Sequence, residues 1–354
     1  MPTNLFLGWE PSRIWVFMVG ILEWKRDDIY EPFPKENRRD VQLIQLFRKQ
    51  GIPSQQIVYL QDQQATTETI EKRLEQHLKK SSAGDLLFVY YCGHGTSDDD
   101  DAFLLASYDA DDDENLGWYG ESLITSIEKH FNGSHAMIVL DCCQSGSMLD
   151  LLPKRSRKVS YACLASSLAN ESSTANWTFT EGLIMGLQGL AFVDANHDKS
   201  ITLRELFDQL AENMAFAEEQ VSVFGTTGKF DPHLVVASAR PSKDPRIGKR
   251  VEAFDGNDWY RAQIVDARGE RVKVHYFGYE ESDQEWLEPD CVREVVWKRF
   301  EPGSKVEVRW HGEWYDAKVL KVHGGIHLVH YEGYDDDDDE WVPSKRIRQS
   351  KTTK

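Results

Sequence analysis

The chain has 354 residues, too many for one ordinary domain and enough for a large core with something smaller beside it. Its 40% hydrophobic and 28% charged residues are those of a globular protein and exclude a disordered chain. The net charge of −18 repels phosphate backbones, which excludes general nucleic-acid binding by the N-terminal part and suits basic substrates or cations.

The charge is uneven. Residues 240–354 hold 21 basic and 24 acidic side chains, a balance of −3, which leaves −15 on the rest. The apolar run Ile14 to Leu22 is far short of the roughly 20 residues a membrane span needs. It also lacks a charged leader and a cleavage site, so no membrane association is expected and the cytoplasm is the expected compartment. The five cysteines, Cys92, Cys142, Cys143, Cys163 and Cys291, are few and unevenly spaced, unlike a disulfide framework, and no CxxC pair suggests structural zinc.

In chain order, Trp15 to Ile21 reads as a buried strand, followed by a polar loop containing Glu31-Pro32-Phe33-Pro34. Arg39 to Gln50 has helical apolar spacing and stops at Gly51. Ile57 to Leu60 is a short strand, and Thr67 to Lys80 a helix capped by Thr66 or Thr67. Asp85 to Tyr91 and Ala136 to Leu140 are unalternating apolar runs, typical of central parallel strands. Val159 to Ala165 and Leu234 to Ala237 supply two more strands, with helices at Thr178 to Leu187 and Leu203 to Met214. Alternating strands and helices predict an α/β fold, a mostly parallel sheet flanked by helices.

After Pro241 the helical periodicity ends, short β-type stretches begin, and an ungapped repeat appears at an offset of 55 residues. Val251-Glu252 matches Val306-Glu307, Trp259-Tyr260 matches Trp314-Tyr315, and His275-Tyr276 matches His330-Tyr331. Gly278-Tyr279 then matches Gly333-Tyr334, and Glu285-Trp286 matches Glu340-Trp341. The expected organisation is a domain over 1–240, a linker over 241–247, and two small all-β repeats over 248–296 and 301–350.

Function in an open parallel sheet collects past the carboxyl ends of the strands. His94 and Cys143 both lie there, each after a central-type strand. A thiol becomes a competent nucleophile when an imidazole helps to deprotonate it. Neighbouring Gly93, Gly95 and Gly146 let backbone N–H groups approach a substrate carbonyl.

Tyr91-Cys92-Gly93-His94-Gly95 followed by Asp141-Cys142-Cys143-Gln144-Ser145-Gly146 resembles the histidine and cysteine blocks of the caspase and metacaspase superfamily. The separation of the two residues, 49 positions, suits caspases as a group. The resemblance covers about Ile14 to Ala239. It implies a caspase-like fold and a cysteine endopeptidase working through a thioester, with Cys143 as nucleophile and His94 as base. It further implies an oxyanion hole from the N–H groups of Gly95 and Cys143, with Cys142 a buried neighbour. By the same resemblance Asp141 and Asp40 are acidic specificity-pocket residues, with Cys92 in the pocket wall, which favours cleavage after Arg or Lys. Arg38-Arg39 is a competing signal for a basic pocket and cleavage after Asp. Lys154, Arg155, Arg157 and Lys158 form either a self-processing site or a solvated basic loop.

The dyad itself requires no cofactor. Calcium is a candidate ligand, because Asp194, Asn196, Asp198, Ser200 and Glu205 fit the spacing of an EF-hand loop. Lys199 stands where that loop needs glycine, and the rival reading is a degenerate loop that caps the next helix. Each C-terminal repeat resembles the Tudor-knot or chromo-barrel family, small SH3-like barrels in which aromatics attract methylated Lys or Arg by cation–π contact. The candidate cage residues are Tyr260, Tyr276, Tyr279 and Trp286, then Tyr315, Tyr331, Tyr334 and Trp341; filling a very small core is the other role open to them. The expected partners are a protein or peptide substrate at the dyad and a protein at the barrels, not nucleic acid. A scaffold with an inactive protease-like domain is the alternative function. Another hydrolase or transferase using the same pair is a third.

Overall fold

The structure, a computed structural model, describes residues 5–350 except 37, 112, 113, 115, 154–157, 170–175, 241, 243, 296, 297, 311 and 324. The elements of the first part run β1 (Ile14–Gly20), α1 (Arg39–Lys49), β2 (Ile57–Gln61), α2 (Thr67–Leu78), β3 (Leu86–Cys92), β4 (Gly95–Ser97), β5 (Phe103–Leu105) and β6 (Trp118–Tyr119). They continue with α3 (Gly120–His130), β7 (His135–Asp141), α4 (Met148–Leu151), β8 (Ser160–Ala165), α5 (Thr178–Leu187), β9 (Ser200–Thr202), α6 (Leu203–Ala217), β10 (Val223–Thr226) and β11 (Val235–Ser238). Thr66 is the cap of α2, its hydroxyl accepting the Thr69 N–H at 3.3 Å.

The main sheet has six strands in the order β10-β8-β7-β3-β1-β2. All its pairings are parallel except that of β10 with β8. Every residue of β1 and β3 is buried, which accounts for their lack of alternation. Trp15, Phe17 and Val19 of β1 share a core with Ile70 and Leu74 of α2 and Leu123 and Ile127 of α3. On the other face Phe88 packs against Phe47 of α1, at 4.8 Å between ring centroids, and Tyr90 meets Thr180 of α5 through their hydroxyls at 2.6 Å. Helices therefore cover both faces, as the alternation predicts.

Two expectations are corrected. Val235–Ser238 does not join the main sheet; it pairs antiparallel with β9 in a two-stranded sheet, while β10 takes the edge beside β8. Between Gly95 and Ala136, where the sequence reading names no element, lie the three-stranded sheet β4-β5-β6 and helix α3.

The chain divides into two compact units, residues 1–210 with 222–242, and residues 211–221 with 243–354. The second unit contains β12 (Arg250–Phe254), β13 (Trp259–Arg268), β14 (Arg271–Tyr276), β15 (Glu285–Leu287) and β16 (Val292–Glu294). It then repeats the pattern with β17 (Lys305–Trp310), β18 (Glu313–His323), β19 (Ile326–Tyr331), β20 (Glu340–Pro343) and β21 (Ile347–Gln349). The two antiparallel sheets have matching orders, β15-β14-β13-β12-β16 and β20-β19-β18-β17-β21. Each long second strand shifts register at the same place, between Ile264 and Asp266 and between Val319 and Lys321, bending the strand as a small barrel requires.

Alternation sorts the repeated residues. Val251 and Val306 enter the two cores, while the adjacent Glu252 and Glu307 pair with Arg293 and Arg348 at 2.6 and 2.8 Å. Those guanidiniums lie 4.0 and 3.9 Å from the ring centroids of Trp259 and Trp314.

Candidate active site and aromatic clusters

Strands β3 and β7 pair in parallel with Cys92 opposite Asp141, so the chain leaves both at the same edge of the sheet and carries His94 and Cys143 out on neighbouring loops. The loops touch at Gly95, where a Cβ would lie 2.2 Å from the Cys143 carbonyl oxygen. Gly93 takes φ of 149°, and a Cβ there would meet the Tyr91 hydroxyl at 2.7 Å. Gly146 has a different role from the expected one. A Cβ there would sit 2.8 Å from the Ala169 N and 2.9 Å from the Ser167 carbonyl oxygen, so its smallness lets residues 167–169 pack behind the cysteine turn.

That turn is held from below. The Cys142 carbonyl accepts hydrogen bonds from the Ser166 and Ser167 hydroxyls at 3.3 and 3.0 Å, and the Cys142 N–H reaches Ser166 Oγ at 3.2 Å. Cys142 is buried, and burial pushes its thiol well above the ordinary range. Cys143 is partly exposed, and Gln144 beyond it takes φ of 53°. Of the adjacent pair, the second is the cysteine presented at the surface.

His94 stands among aromatics, its ring centroid 4.4 Å from Phe33, 4.5 Å from Trp24 and 5.7 Å from Tyr30. Burial pulls its pKa below the usual histidine value. His94 Nε2 is 2.8 Å from the Glu31 carbonyl oxygen. A carbonyl only accepts, so Nε2 carries the hydrogen and Nδ1 is the basic nitrogen of the neutral ring. The sequence reading names Glu31 only as part of a polar loop, because it acts on His94 through a backbone group that any residue supplies.

A small cavity of about 40 Å3 adjoins the cysteine, lined among others by Phe33, Cys92, Asp141, Cys143 and Trp177. Asp141 is buried, and its Oδ2 accepts hydrogen bonds from the Thr180 hydroxyl at 2.6 Å and the Thr180 N–H at 3.3 Å. Cys92 lies in the cavity wall with its thiol pushed up by burial.

Asp40 does not line this cavity. It is fully buried and held by Arg38, whose Nη2 and Nε reach its two carboxylate oxygens at 2.8 and 3.1 Å. The Tyr59 hydroxyl donates to Asp40 Oδ2 at 2.7 Å, and burial holds that phenol protonated. Arg38 also binds Asp62 at 2.6 Å, while Arg39 pairs with Glu181 at 2.9 Å. Both arginines are buried ion-pair partners and do not form a basic pocket. Of the basic stretch, Lys154, Arg155 and Arg157 fall outside the described residues, and Lys158 is exposed.

The loop from Asp194 to Glu205 turns its acids inward on its own amides. Asp194 accepts the N–H groups of Asp198 and Lys199 at 3.1 and 2.9 Å, and Asp198 accepts that of Ser200 at 2.8 Å. Asn196 Oδ1 accepts the Asp198 N–H at 2.8 Å, and Glu205 reaches across to the Asn196 N–H at 3.4 Å and to the Thr202 N–H at 2.9 Å. Lys199 takes φ of 75°, the left-handed conformation for which an EF-hand loop uses glycine.

In the first barrel, Tyr260, Tyr276 and Tyr279 stand 5.7 to 6.1 Å apart at steep interplanar angles of 69° to 83°. Tyr315, Tyr331 and Tyr334 repeat this at 6.1 to 6.3 Å and 69° to 87°. The tryptophans expected in these clusters are elsewhere. Trp286 lies between Glu285, which accepts the Tyr276 hydroxyl at 2.6 Å, and buried Leu287, so alternation turns it to the other face, against Arg268 at 4.7 Å. Trp341, between Glu340 and Val342, is turned the same way. The sequence reading missed Trp310, whose ring lies 5.8 Å from that of Tyr315.

Residues 39–152 match the family model described as metacaspase, peptidase C14 domain, and residues 303–351 match that of the Agenet domain. The protein thus combines a caspase-like peptidase fold with Tudor-like barrel structure. A crystal structure of protein GSU0716 from Geobacter sulfurreducens is 14% identical, with a TM-score of 0.48, covering 64% of this chain and 97% of that one. The crystal structure of Tbtudor is 28% identical, with a TM-score of 0.14, covering 15% of this chain and 97% of that one. The comparison with curated proteins found no match. Among the described residues, no helix is long and apolar enough to cross a membrane.

Proposed function

We propose that residues 1–240 act as a cysteine endopeptidase that cleaves after Arg or Lys, and that the two barrels recruit a protein bearing a methylated side chain. The observation that carries the first part is the hydrogen bond from His94 Nε2 to the Glu31 carbonyl, which leaves Nδ1 as the base. His94 Nδ1 takes the Cys143 proton, and the thiolate attacks the scissile carbonyl carbon. The oxyanion is held by the N–H groups of Gly95 and Cys143. The C–N bond breaks as the imidazolium returns its proton to the leaving amine, and water, deprotonated by His94, hydrolyses the thioester.

The preference for a basic side chain rests on Asp141, the carboxylate at the cavity beside Cys143. The second part rests on the two tyrosine clusters, whose perpendicular rings about 6 Å apart suit a cation–π cage. The loop from Asp194 to Glu205 keeps two readings, a calcium site and a degenerate loop that caps α6. Its carboxylates accept the loop's own N–H groups, which favours the second. A saturable response to calcium in calorimetric titration of the whole chain would overturn it.

One observation favours the scaffold reading: the Asp141 carboxylate at the cavity is buried and already accepts the Thr180 hydroxyl and N–H. Peptides with Arg, Lys or Asp before the cut, offered with and without calcium to wild type and Cys143→Ala, separate the readings. Turnover of Arg or Lys peptides by wild type alone is expected. Turnover of Asp peptides alone overturns the acidic pocket, and no turnover in any arm leaves the scaffold.

A further inference from the structure

The two tyrosine clusters are nearly superimposable in spacing, yet what surrounds them differs at two positions. The first is the turn after the opening strand of each barrel. At the 55-residue offset Asp255 corresponds to Trp310, and the registers agree, with Ala253 opposite Tyr260 and Val308 opposite Tyr315. Trp310, 46% exposed, adds a fourth aromatic ring beside Tyr315. Asp255 adds a carboxylate instead. Its Oδ1 accepts the N–H groups of Asn257 and Asp258, both at 2.8 Å, which fixes the carboxylate at the turn. Its negative charge is the largest cause raising the Tyr260 phenol, and it also raises that of Tyr276, so its field reaches the cluster.

The second position acts on the glutamate that accepts the buried tyrosine hydroxyl, Glu285 in one barrel and Glu340 in the other. Arg346 binds Glu340 with Nη2 at 2.6 Å and Nη1 at 3.2 Å, cancelling its charge. At the same offset the first barrel has Cys291. At these two positions the differences run the same way: Asp255 sets a carboxylate where the second cage has the Trp310 ring, and among the described residues Glu285 lacks the arginine that Glu340 has. Acids follow the exposed tyrosine in both repeats, Glu280, Glu281 and Asp283 after Tyr279 and Asp335 to Asp339 after Tyr334.

These settings suit different ammonium ions. A mono- or dimethylated lysine keeps an N–H that needs an acceptor once it leaves water, and an unmet donor is costly. A trimethylated lysine has no N–H and gains most from ring faces, tryptophan being the best of them.

Resting on the barrels being methylammonium readers, we infer that the first cage, with Asp255 and Glu285, takes mono- or dimethyl-lysine, and the second, with Trp310, takes trimethyl-lysine. One chain would then engage two differently modified lysines.

The test is calorimetric titration of the full chain carrying Cys143→Ala with one short peptide whose single lysine is unmodified, mono-, di- or trimethylated. Tyr334→Ala silences the second cage and Tyr279→Ala the first; both tyrosines are about half exposed, so the barrels keep their cores. The first cage should bind the dimethyl peptide roughly tenfold more tightly than the trimethyl one, and the second should reverse that order. Asp255→Asn should erase the first preference, and Trp310→Asp should weaken trimethyl binding by the second cage. An identical ranking by both cages overturns the division while leaving the cages as readers. No binding of any peptide by either cage overturns the reader role itself.

Discussion

A Cβ on Gly95 would come within 2.2 Å of the carbonyl oxygen of Cys143, closer than any side chain permits. The contact joins the loop after β3 to the loop after β7 and sets the separation of the groups proposed to act together. Gly95→Ala must push the cysteine turn away. The expected result is a loss of roughly 100-fold or more in kcat, as when an oxyanion donor is displaced, with about 1–3 kcal/mol of stability lost to overpacking. Near-wild-type turnover of an Arg peptide by this variant would remove Gly95 from the oxyanion site.

The pH dependence of catalysis follows from the surroundings of His94. Burial among Trp24, Tyr30 and Phe33 disfavours the imidazolium and lowers its pKa, against the smaller opposing effect of the Glu31 carbonyl. The neutral base thus persists to lower pH than a solvated histidine would allow. The acid limb of kcat/KM is expected to inflect below 6.5, and Phe33→Ala, which admits water, should move it upward. An inflection at or above 6.5 in wild type would contradict this account.

Asp40 and Asp141 are separated by a pair of substitutions. Asp141→Asn should lower kcat/KM for an Arg peptide by more than about tenfold, because the carboxylate at the cavity is lost. Asp40→Asn should lower stability without changing the preference, since Arg38 and Tyr59 occupy that carboxylate. Arg38→Ala leaves Asp40 and Asp62 buried without their guanidinium and should cost about 3–5 kcal/mol, part of which adding Asp40→Asn restores. Thermal melts and a peptide panel read both effects, and an altered preference in Asp40→Asn would return it to the pocket.

The difference between Asp141 and Asp40 also marks how far the sequence could be read. That the motifs holding His94 and Cys143 meet at one edge was legible because both end apolar runs, and parallel pairing of those runs brings them together. Asp40 was not, because an acid two residues from an arginine looks the same in sequence whether it awaits a substrate or already has its partner. Trp286 and Trp341 attracted attention as identities, although the alternation of Glu285-Trp286-Leu287 already turned them from the cage. Trp310 went unnoticed for the opposite reason: comparing repeats by identity hides a position where Asp255 differs. The placement of β11 outside the main sheet depended on its partner β9, a three-residue strand with no periodicity to read.

His77 predicts a second pH effect, on stability. It is buried on α2 with its ring 5.0 Å from that of Trp15 and 6.1 Å from that of Phe17, and its Nε2 has no hydrogen-bond partner among the described residues. Burial, with Lys80 and Arg73 nearby, lowers its pKa from 6.5 to about 4. A folded-state pKa below the unfolded one means that the unfolded chain binds the proton first as pH falls. The contribution of neutral His77 is therefore intact above pH 6.5 and is lost as pH falls toward 4, by about 3 kcal/mol in all. Carboxylates titrate over the same range, so the measurement is a difference: urea unfolding of wild type and His77→Leu at pH 7, 5.5 and 4.5. Wild type should lose stability faster than the variant over this range, and parallel curves would mean that His77 is protonated without cost in the folded chain.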